Sequence, residues 1–389
     1  MLTAQPRSRA WREIDLEALA HNARVLQASL APGCRLMAVV KADAYGHGAG
    51  PVALRLCRAG VASFAVACLD EAVSLRQQGL EEALLILGYT PPEEAAALAR
   101  WNLVQAVADE AHAAALAAQG TPLRVHLALD TGMHRLGIPA DDHAAIARVW
   151  ELPNLTVEGV FSHLCVSDSP QPEARSYTHD QVERFFAAVA WMKAHGLDPG
   201  ETHLQASYGI WNLPPLPCTW ARAGIALYGV TSGGTPPRRP LDLKPVLSLR
   251  ARVASVRTLP AGEGAGYGLA FRADRPRRLA TVTIGYADGL SRALPGQGGQ
   301  VLLHGQRCPM VGRMCMDQLL VDVTAVPEAA AGDVVTLIGW DGPAYLAAEE
   351  LASVCGTITN ELLSRLGPRL PIVTAPQQAG ACAAAEFAV

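Results

Sequence analysis

Short apolar segments alternate with longer, Ala-rich amphipathic segments over the first 230 residues of the chain. The alternation indicates parallel strands joined by right-handed crossover helices. Eight apolar segments are present: 36–41, 64–68, 84–87, 103–107, 123–130, 156–164, 202–206 and 221–229. Eight such units predict an α/β fold of the (β/α)8 TIM-barrel type, with the functional groups at the carboxyl ends of the strands. An open doubly wound sheet is the alternative, but no GxGxxG follows an early strand.

The pattern changes at residues 231–245, TSGGTPPRRPLDLKP, which are rich in Gly and Pro and read as a linker. Short strands punctuated by turns dominate beyond it, which predicts a mostly β second domain. The expected domains are therefore a barrel over residues 1–235 and a mostly β domain over residues 236–389. A final helix is predicted near residues 347–366, followed by an Ala-rich tail.

Composition narrows the class of ligand. Of 389 residues, 32 are basic and 36 acidic, which gives a net charge of −4, and no basic tract occurs. Nucleic acid and anionic membranes are therefore disfavoured as partners, and a small molecule is expected. No apolar segment is long enough for a transmembrane helix, and the N-terminus lacks the apolar region of a secretory signal. The nine cysteines form no CxxC, which favours reduced thiols of a cytoplasmic protein over disulfides or a metal site.

The segment AVVKADAYGHG (38–48) carries the sharpest chemical signal, because Lys41 ends a very apolar strand. Burial disfavours the ammonium form, lowers the lysine pKa and makes the amine a better nucleophile toward an aldehyde. The closely spaced glycines that follow permit a tight turn. The alternative is an ordinary solvated lysine at a strand end.

Other barrel segments each allow a functional and a structural interpretation. Arg135 in LDTGMHRLG (129–137) could face a ligand or solvent, and His163 in FSHL (161–164) could be a core histidine. Ser207 in HLQASYG (203–209) suits either an anion site or a helix N-cap. Arg222 in ARAGIALYG (221–229) could face a cofactor or pair with a carboxylate. In the second domain, Tyr267 of GAGYGLAF (264–271) is either an exposed loop residue or a base that needs a nearby cation.

AVVKADAYGHG resembles the pyridoxal-phosphate signature of the alanine racemases, which are fold-type III enzymes, and GRMCMDQLLVD (312–322) resembles a second block of that family. The resemblance extends from about residue 11 to residue 370. It implies that Lys41 carries pyridoxal 5'-phosphate covalently and that Arg222 faces the pyridine nitrogen and keeps it unprotonated, which suits racemisation. The cofactor-binding residues that it implies are Lys41, Tyr45, Arg135, His163, His203, Ser207, Arg222, Gly224 and Ile225.

Within these, the resemblance assigns Tyr45, Ser207 and the Gly224 and Ile225 amides to the cofactor phosphate, Arg135 to the phenolic oxygen, and His163 to the pyridine ring. Substrate contacts are expected from Arg135, Tyr286 at an entrance gate, the backbone amide of Met316, and Asp317, which helps to hold that loop.

The implied reaction is amino-acid racemisation with one acid/base group on each face of the α-carbon. Lys41 would serve the D side and Tyr267 the L side. In the family the tyrosine comes from the other subunit, so the resemblance implies a head-to-tail homodimer with active sites at the interface. Neither a membrane partner nor a metal is expected.

Three positions depart from the family pattern. Ala128 stands where many relatives carry a carbamylated lysine, so another group, such as a bound chloride, is expected to orient Arg135. Ala206 replaces the usual Asn. The segment TNELLSRLGPRLPIV (359–373) lacks the tyrosine that narrows the pocket of typical alanine racemases.

HLQASYG and TNELLSRLG are also similar to the catalytic domains of membrane-linked serine racemases associated with vancomycin resistance, although no transmembrane domain is predicted here. Alanine is the predicted substrate, and serine, or both amino acids, is the alternative. A non-catalytic pyridoxal-phosphate carrier and an amino-acid decarboxylase are further alternatives. The β domain with Tyr267 and MCMDQ argues against the carrier, and the racemase-like residues around Cys315 argue against the decarboxylase. Supply of cell-wall precursors and D-amino-acid catabolism both remain open as the biological role.

Overall fold

The computed structural model describes residues 8–374, so the predicted Ala-rich tail and the first seven residues of the N-terminal segment lie outside the described residues. The strands, in chain order, are β1 (Ala10–Ile14), β2 (Arg35–Val39), β3 (Ser63–Val66), β4 (Ala83–Ile86), β5 (Val104–Val107), β6 (Leu123–Asp130), β7 (Ile138–Pro139), β8 (Leu155–Phe161), β9 (Glu201–Ala206), β10 (Trp220–Ala223), β11 (Leu247–Leu259), β12 (Gly264–Ala265), β13 (Phe271–Arg272), β14 (Arg277–Val282), β15 (Gln300–Leu303), β16 (Gln306–Val311), β17 (Leu319–Asp322), β18 (Val334–Asp341), β19 (Ala344–Leu346) and β20 (Ile372–Thr374). The helices are α1 (Leu16–Ala28), α2 (Lys41–Gly46), α3 (Ala49–Arg58), α4 (Leu69–Gln77), α5 (Ala95–Arg100), α6 (Glu110–Ala117), α7 (His143–Glu151), α8 (Pro172–Ala194), α9 (Ser207–Asn212), α10 (Ala348–Val354) and α11 (Thr359–Ser364).

Eight parallel strands close into a barrel, as the sequence predicted. Neighbouring strands follow the order β2–β3–β4–β5–β6–β8–β9–β10, and β10 pairs with β2 to close the ring. Each predicted apolar segment contributes one of these strands. The segment 221–229 is the least accurate prediction, because its strand ends at Ala223 and a short 3-10 helix, Ile225–Tyr228, follows.

The strands read as continuous apolar segments because both of their faces are buried. In β2, Met37 and Val39 point into the barrel and pack with Ala65, Leu85 and Trp220. Their neighbours along the strand point outward, into the layer between the strands and the helices. The interior is therefore filled with side chains, and a ligand site can form only at an end of the barrel.

The second domain is mostly β, also as predicted. Six antiparallel strands close on themselves in the order β11–β18–β15–β16–β17–β14, because the long strand β11 pairs with both β18 and β14. The single helix predicted near residues 347–366 is instead the pair α10 and α11. The chain turns between them at Gly356, whose φ of +67° lies in the left-handed region that favours glycine.

The first strand belongs to the second domain and not to the barrel that follows it in sequence. Strand β1 pairs antiparallel with β11 and parallel with β20. Both ends of the described chain thus lie in one sheet, and the barrel is formed by the residues between them. Strand β1 was not predicted from the sequence, because its partners lie far away along the chain.

Candidate active site

A cavity of about 540 Å³ opens at the carboxyl ends of the barrel strands. The residues that line it include eight of the predicted site residues: Lys41, Tyr45, Arg135, His163, Ser207, Arg222, Gly224 and Ile225. These residues lie in or directly after five different strands, so only the closed barrel brings them together. The ninth predicted cofactor residue, His203, is fully buried beneath the cavity and contacts Arg222.

Lys41 stands at the start of an unusual turn. Residues 42–45 all have φ between 52° and 54°, so α2 is left-handed although none of these four residues is glycine. A left-handed turn costs about 1–2 kcal/mol per L-residue, so surrounding contacts must hold it. A Cβ on the following residue, Gly46, would collide with the carbonyl oxygen of Leu363, which explains the glycine there.

Two charged side chains hold this turn. The carboxylate of Glu71 accepts from the backbone N–H of Ala42 at 2.7 Å and from that of Ala67 at 2.8 Å. From the second domain, the buried Arg12 donates to the carbonyl oxygen of Gly46 at 2.8 Å and to that of Leu370 at 2.9 Å. The position of Lys41 therefore depends on both domains.

The surroundings of Lys41 favour its neutral form. Burial is the largest cause of its lowered pKa, and the positive charges of Arg135 and Arg222 act in the same direction, whereas Glu71 opposes them. A lysine with a lowered pKa is a nucleophile toward aldehydes and a general base nearer neutrality. The predicted chemistry of this lysine thus has a physical basis in the folded protein.

We expect Glu71→Gln to loosen the turn and to lower the pKa of Lys41 further. The NH2 group of glutamine cannot accept a hydrogen bond, so either the N–H of Ala42 or that of Ala67 would lose its acceptor. The lost hydrogen bond should lower the free energy of unfolding by about 1–3 kcal/mol. The removed negative charge raises the lysine pKa in the native protein, so its loss shifts the pH profile of aldehyde addition to lower pH.

Denaturant unfolding and the pH dependence of pyridoxal-phosphate addition to apoprotein measure the two effects. Glu110→Gln is the control, since Glu110 pairs with Arg148 on the surface, away from the cavity. A shift of the pH profile to higher pH, or equal changes in stability and pH profile in Glu71→Gln and Glu110→Gln, would contradict the role given to Glu71.

Arg222 is a buried cation that meets no carboxylate among the described residues. It is 3 % exposed and donates to the carbonyl oxygen of Ser162 at 2.7 Å, and to Nδ1 and the carbonyl oxygen of His203 at 2.7 and 2.9 Å. Burial lowers its pKa to about 10, so it stays charged at neutral pH. The structural alternative, an ion pair, is therefore absent from the part of the chain that is described, and the charge is available to a ligand.

His163 is the neighbour of Arg222 on the cavity wall, with its Nδ1 at 3.3 Å from the guanidinium. Burial, followed by the charge of Arg222, lowers the pKa of His163 to about 3. The ring is therefore neutral, and it can pack on a flat ligand without adding a further positive charge.

Ser207 and the first turn of the 3-10 helix form an anion cradle. The backbone N–H groups of Gly224 and Ala226 both donate to Oγ of Ser207, at 3.1 and 3.2 Å. Tyr45 closes the same corner, and a Cβ on Gly224 would lie 2.5 Å from its hydroxyl oxygen. Convergent N–H groups and hydroxyls of this kind suit a phosphate group.

Polar residues of α8 that were not predicted from the sequence fix the loops that carry Arg135 and His163. Gln181 on α8 donates to the carbonyl oxygen of His163 at 3.0 Å and accepts from the backbone N–H of Cys165 at 3.1 Å. Tyr177 and Arg184, on the same helix, bond the carbonyl oxygens of Gly132 and Thr131. Their only sequence signal was polar side chains on a helix that must bury one face.

The four predicted residues of the second domain do not line this chain's own cavity within residues 8–374. Tyr267 is 65 % exposed and Met316 52 % exposed, and Tyr286 is also exposed. Tyr286 and Met316 lie in adjoining loops, because the N–H of Tyr286 donates to the carbonyl oxygen of Cys315 and that of Ala287 to Met316. Asp317 pairs with Arg369 at 2.6 Å.

Two family models match the chain, "Alanine racemase, N-terminal domain" over residues 14–232 and "Alanine racemase, C-terminal domain" over residues 246–374. The chain belongs to the alanine racemase family. The alanine racemase of Desulfovibrio desulfuricans is 43 % identical over 368 residues, which cover 93 % of this chain and 97 % of that protein.

The serine/alanine racemase of Enterococcus gallinarum is 39 % identical over 368 residues, covering 94 % of this chain and 51 % of that protein. An amino-acid racemase of Enterococcus faecalis is 40 % identical, and the chain again spans only 51 % of its length. The solved alanine racemase of Bacillus anthracis with bound L-Ala-P has a TM-score of 0.89 at 33 % identity, with 96 % of this chain and 97 % of that chain covered.

As a member of the alanine racemase family, the chain is an amino-acid racemase, and its barrel and β domain have the arrangement of the solved relatives. Among the helices of residues 8–374, none combines the length and the apolar character needed to cross a bilayer.

Proposed function

We propose that the protein interconverts L- and D-alanine with pyridoxal 5'-phosphate as its cofactor. The observation that carries the proposal is the joint presence, in one cavity, of three features: Lys41 with a lowered pKa, a buried arginine that meets no carboxylate of residues 8–374, and an anion cradle. An aldehyde, an electron-rich ring nitrogen and a phosphate are the groups that these three features would bind.

The residues present fit this cofactor. Lys41 would hold the aldehyde carbon, Ser207 and the amides of the 3-10 helix the phosphate, and Arg222 the ring nitrogen. The cradle is already built, because Ser207 Oγ is held by two N–H donors. When bound, pyridoxal phosphate supplies an electron sink for the charge left on the α-carbon after loss of its proton.

The chain's own groups then bind the substrate and move protons. Lys41, whose lowered pKa favours its neutral form, would serve as base on one face of the α-carbon. Arg222 stays charged at neutral pH. It would donate to the ring nitrogen of the bound cofactor without giving up its proton, which would limit side reactions that need a protonated ring. Arg135, exposed at the rim, is free to meet the phenolic oxygen or the substrate carboxylate.

The second base is proposed to be Tyr267 of another copy of the chain. The tyrosine projects from a loop whose glycines leave it unobstructed, and the guanidinium of Arg313 packs against Gly268 of that loop. Since Tyr267 is exposed and does not line its own cavity, a head-to-tail homodimer would complete two equivalent sites.

Asn360 supports serine as a second substrate. It lies in the segment that lacks the usual tyrosine, it lines the cavity, and its amide oxygen is buried without a hydrogen-bond partner among the described residues. A hydroxyl group on the substrate could satisfy this acceptor, whereas the methyl group of alanine could not. Relatives named amino-acid racemase and serine/alanine racemase, at 40 % and 39 % identity, agree with this interpretation.

Asn360→Tyr is expected to lower kcat/KM for serine by about 10-fold or more while preserving most of the alanine activity, because the hydroxyl loses its acceptor and the pocket narrows. Parallel kinetics with the two substrates measure the ratio. Asn212→Tyr, at a polar position outside the cavity lining, is the control. Equal losses for both amino acids would remove Asn360 from the specificity argument.

The proposed reaction is tested by incubating purified, cofactor-loaded protein with L-alanine and separately with L-serine, followed by chiral separation. D-alanine formed much faster than D-serine supports the primary proposal, and fast D-serine supports the second. If neither D-amino acid is formed, release of carbon dioxide would favour the decarboxylase, and the absence of any turnover would favour the carrier. We place the reaction in the cytoplasm, because all eight cysteines of the described residues are free thiols.

A further inference from the structure

Two histidines continue inward from Arg222 into the barrel. His203 on β9 is fully buried, and His126 on β6 is 3 % exposed. A guanidinium nitrogen of Arg222 lies 2.7 Å from Nδ1 of His203, and Nε2 of His203 lies 2.8 Å from Nδ1 of His126. Three polar side chains thus form one hydrogen-bonded row. His126 was not among the residues that the sequence singled out.

The direction of the hydrogen bonds in this row is forced. A guanidinium only donates, so Nδ1 of His203 must accept. Burial holds the pKa of His203 well below its ordinary value and lowers that of His126 to about 4, so both rings are neutral. The proton of His203 is therefore on Nε2, which donates to Nδ1 of His126. The proton of His126 in turn must be on its own Nε2.

The row ends at the opposite end of the barrel from Lys41. His126 lines a cavity of about 320 Å³ together with Arg124, Glu158 and Glu201. Its Nε2 lies 3.9 Å from a carboxylate oxygen of Glu201, the first residue of β9. The polar row consequently crosses the apolar barrel interior from the catalytic end to the amino ends of the strands.

The neighbouring residues are shaped around the two rings. A Cβ on Gly159 would lie 2.8 Å from the ring of His126, so the glycine provides the room for that histidine. Phe161 stacks on His203 with ring centroids 4.8 Å apart and planes at 3°. Neither ring can turn over freely, and the hydrogen-bond pattern is held as one arrangement.

We propose that His126 is a positioning residue for the racemase reaction proposed above, and that it holds Arg222 in place by accepting the Nε2 proton of the His203 tautomer that Arg222 requires. Without an acceptor at residue 126, the Nε2–H of His203 would be buried and unpaired, which disfavours this tautomer. A proton on Nδ1 would instead set donor against donor at the guanidinium, and Arg222 would have to move. The inference rests on the proposed function for its catalytic consequence but not for the hydrogen-bond pattern itself.

The first test reads the tautomers directly. In apoprotein labelled with ¹⁵N-histidine, two-bond proton–nitrogen correlation spectra should show both His203 and His126 protonated on Nε2, with His126→Leu and His126→Asn used to assign the signals. Loss of the His126 acceptor in His126→Leu should shift or broaden the His203 signals. A wild-type His126 protonated on Nδ1 would overturn the proposal without any activity being measured.

The second test measures how often the loaded enzyme transaminates its cofactor per racemisation turnover. A displaced Arg222 leaves the ring nitrogen free to take a proton, which strengthens the electron sink and favours that side reaction. In metal sites, mutation of the residues that orient the ligands lowers metal affinity or activity by about 10–100-fold. By analogy, we expect His126→Leu to raise the ratio of transamination to racemisation by about tenfold or more. His126→Asn, whose side-chain oxygen can accept in place of Nδ1, should stay near the wild-type ratio.

His112→Leu is the matched control. His112 is 5 % exposed and bonds the carbonyl oxygen of Thr90 at 2.9 Å, without contact to Arg222. A purely structural role for His126 predicts lower stability and equal loss of both reactions in the two leucine variants. An unchanged ratio in His126→Leu, or an equal rise in His112→Leu, would overturn the proposal. Wild-type protein that forms no D-amino acid would instead refute the proposed function and leave the tautomer result standing.

Discussion

Lys41→Ala is expected to abolish both the covalent attachment of the cofactor and racemisation, with activity reduced by a factor of at least about 10⁴. The alanine side chain removes the amine that holds the aldehyde and the base on one face of the substrate. The anion cradle at Ser207 is independent of Lys41, so pyridoxal phosphate should still bind, reversibly and more weakly.

The measurement is reduction with borohydride followed by peptide mapping. The chain has three lysines, Lys41, Lys193 and Lys244, so the labelled peptide is identified without ambiguity. Wild-type protein should carry the label on Lys41, and the Lys41→Ala variant should carry none. Lys193→Ala is the control, because Lys193 lies in the last turn of α8. Label on either of the other lysines in wild-type protein would refute the assignment.

Tyr267→Phe is expected to retain the cofactor and to lose about 10²–10⁴-fold in racemisation, the usual contribution of one acid/base group. The phenyl ring keeps the shape of the loop but has no proton to give or take. Absorbance of bound cofactor and chiral assays separate the two effects. Tyr345→Phe, a second-domain tyrosine that packs against Trp340, is the matched control. A fully active Tyr267→Phe would exclude the two-base scheme.

Mixing the two inactive variants tests the dimer. If each site takes Lys41 from one chain and Tyr267 from another, a mixed dimer of Lys41→Ala and Tyr267→Phe chains contains one intact site and one doubly altered site. Random exchange makes half of the dimers mixed, so the recovered activity should approach about one quarter of wild type. No recovery after verified subunit exchange would place both groups of a site in the same chain.

The elements of the fold that could be predicted from the sequence are those with a local pattern of hydrophobic and polar residues. The strands of the barrel are buried on both faces, so they stand out as apolar segments such as LMAVV and LLIL. The site residues of the barrel follow those strands directly, and the resemblance to the alanine racemases named them. Closure of the barrel then brought them together without further information.

Other features have no local signal. The sequence predicts a tight turn after Lys41, but the left-handed conformation of residues 42–45 also depends on contacts from Glu71 and Arg12, which are distant in the sequence. The five residues of β1 cannot reveal that their partners begin at residue 247. His126 looked like one polar residue in an apolar strand, and its meaning depends on the buried ring of a different strand.

The placement of β1 also sets an order of events during synthesis. The first strand leaves the ribosome before the barrel but has no partner until β11 has been made, more than 230 residues later. At about 5–20 residues per second, that interval is roughly 10–50 s. Arg12 is a residue of β1. Its hydrogen bonds to the carbonyl oxygens of Leu366 and Leu370 can form only after these residues, near the end of the described chain, have been synthesised. We therefore expect the turn after Lys41 to lack the contacts of Arg12 while the barrel is being synthesised. Lys41 should reach its final position, and its final reactivity toward aldehydes, only when the chain is nearly complete.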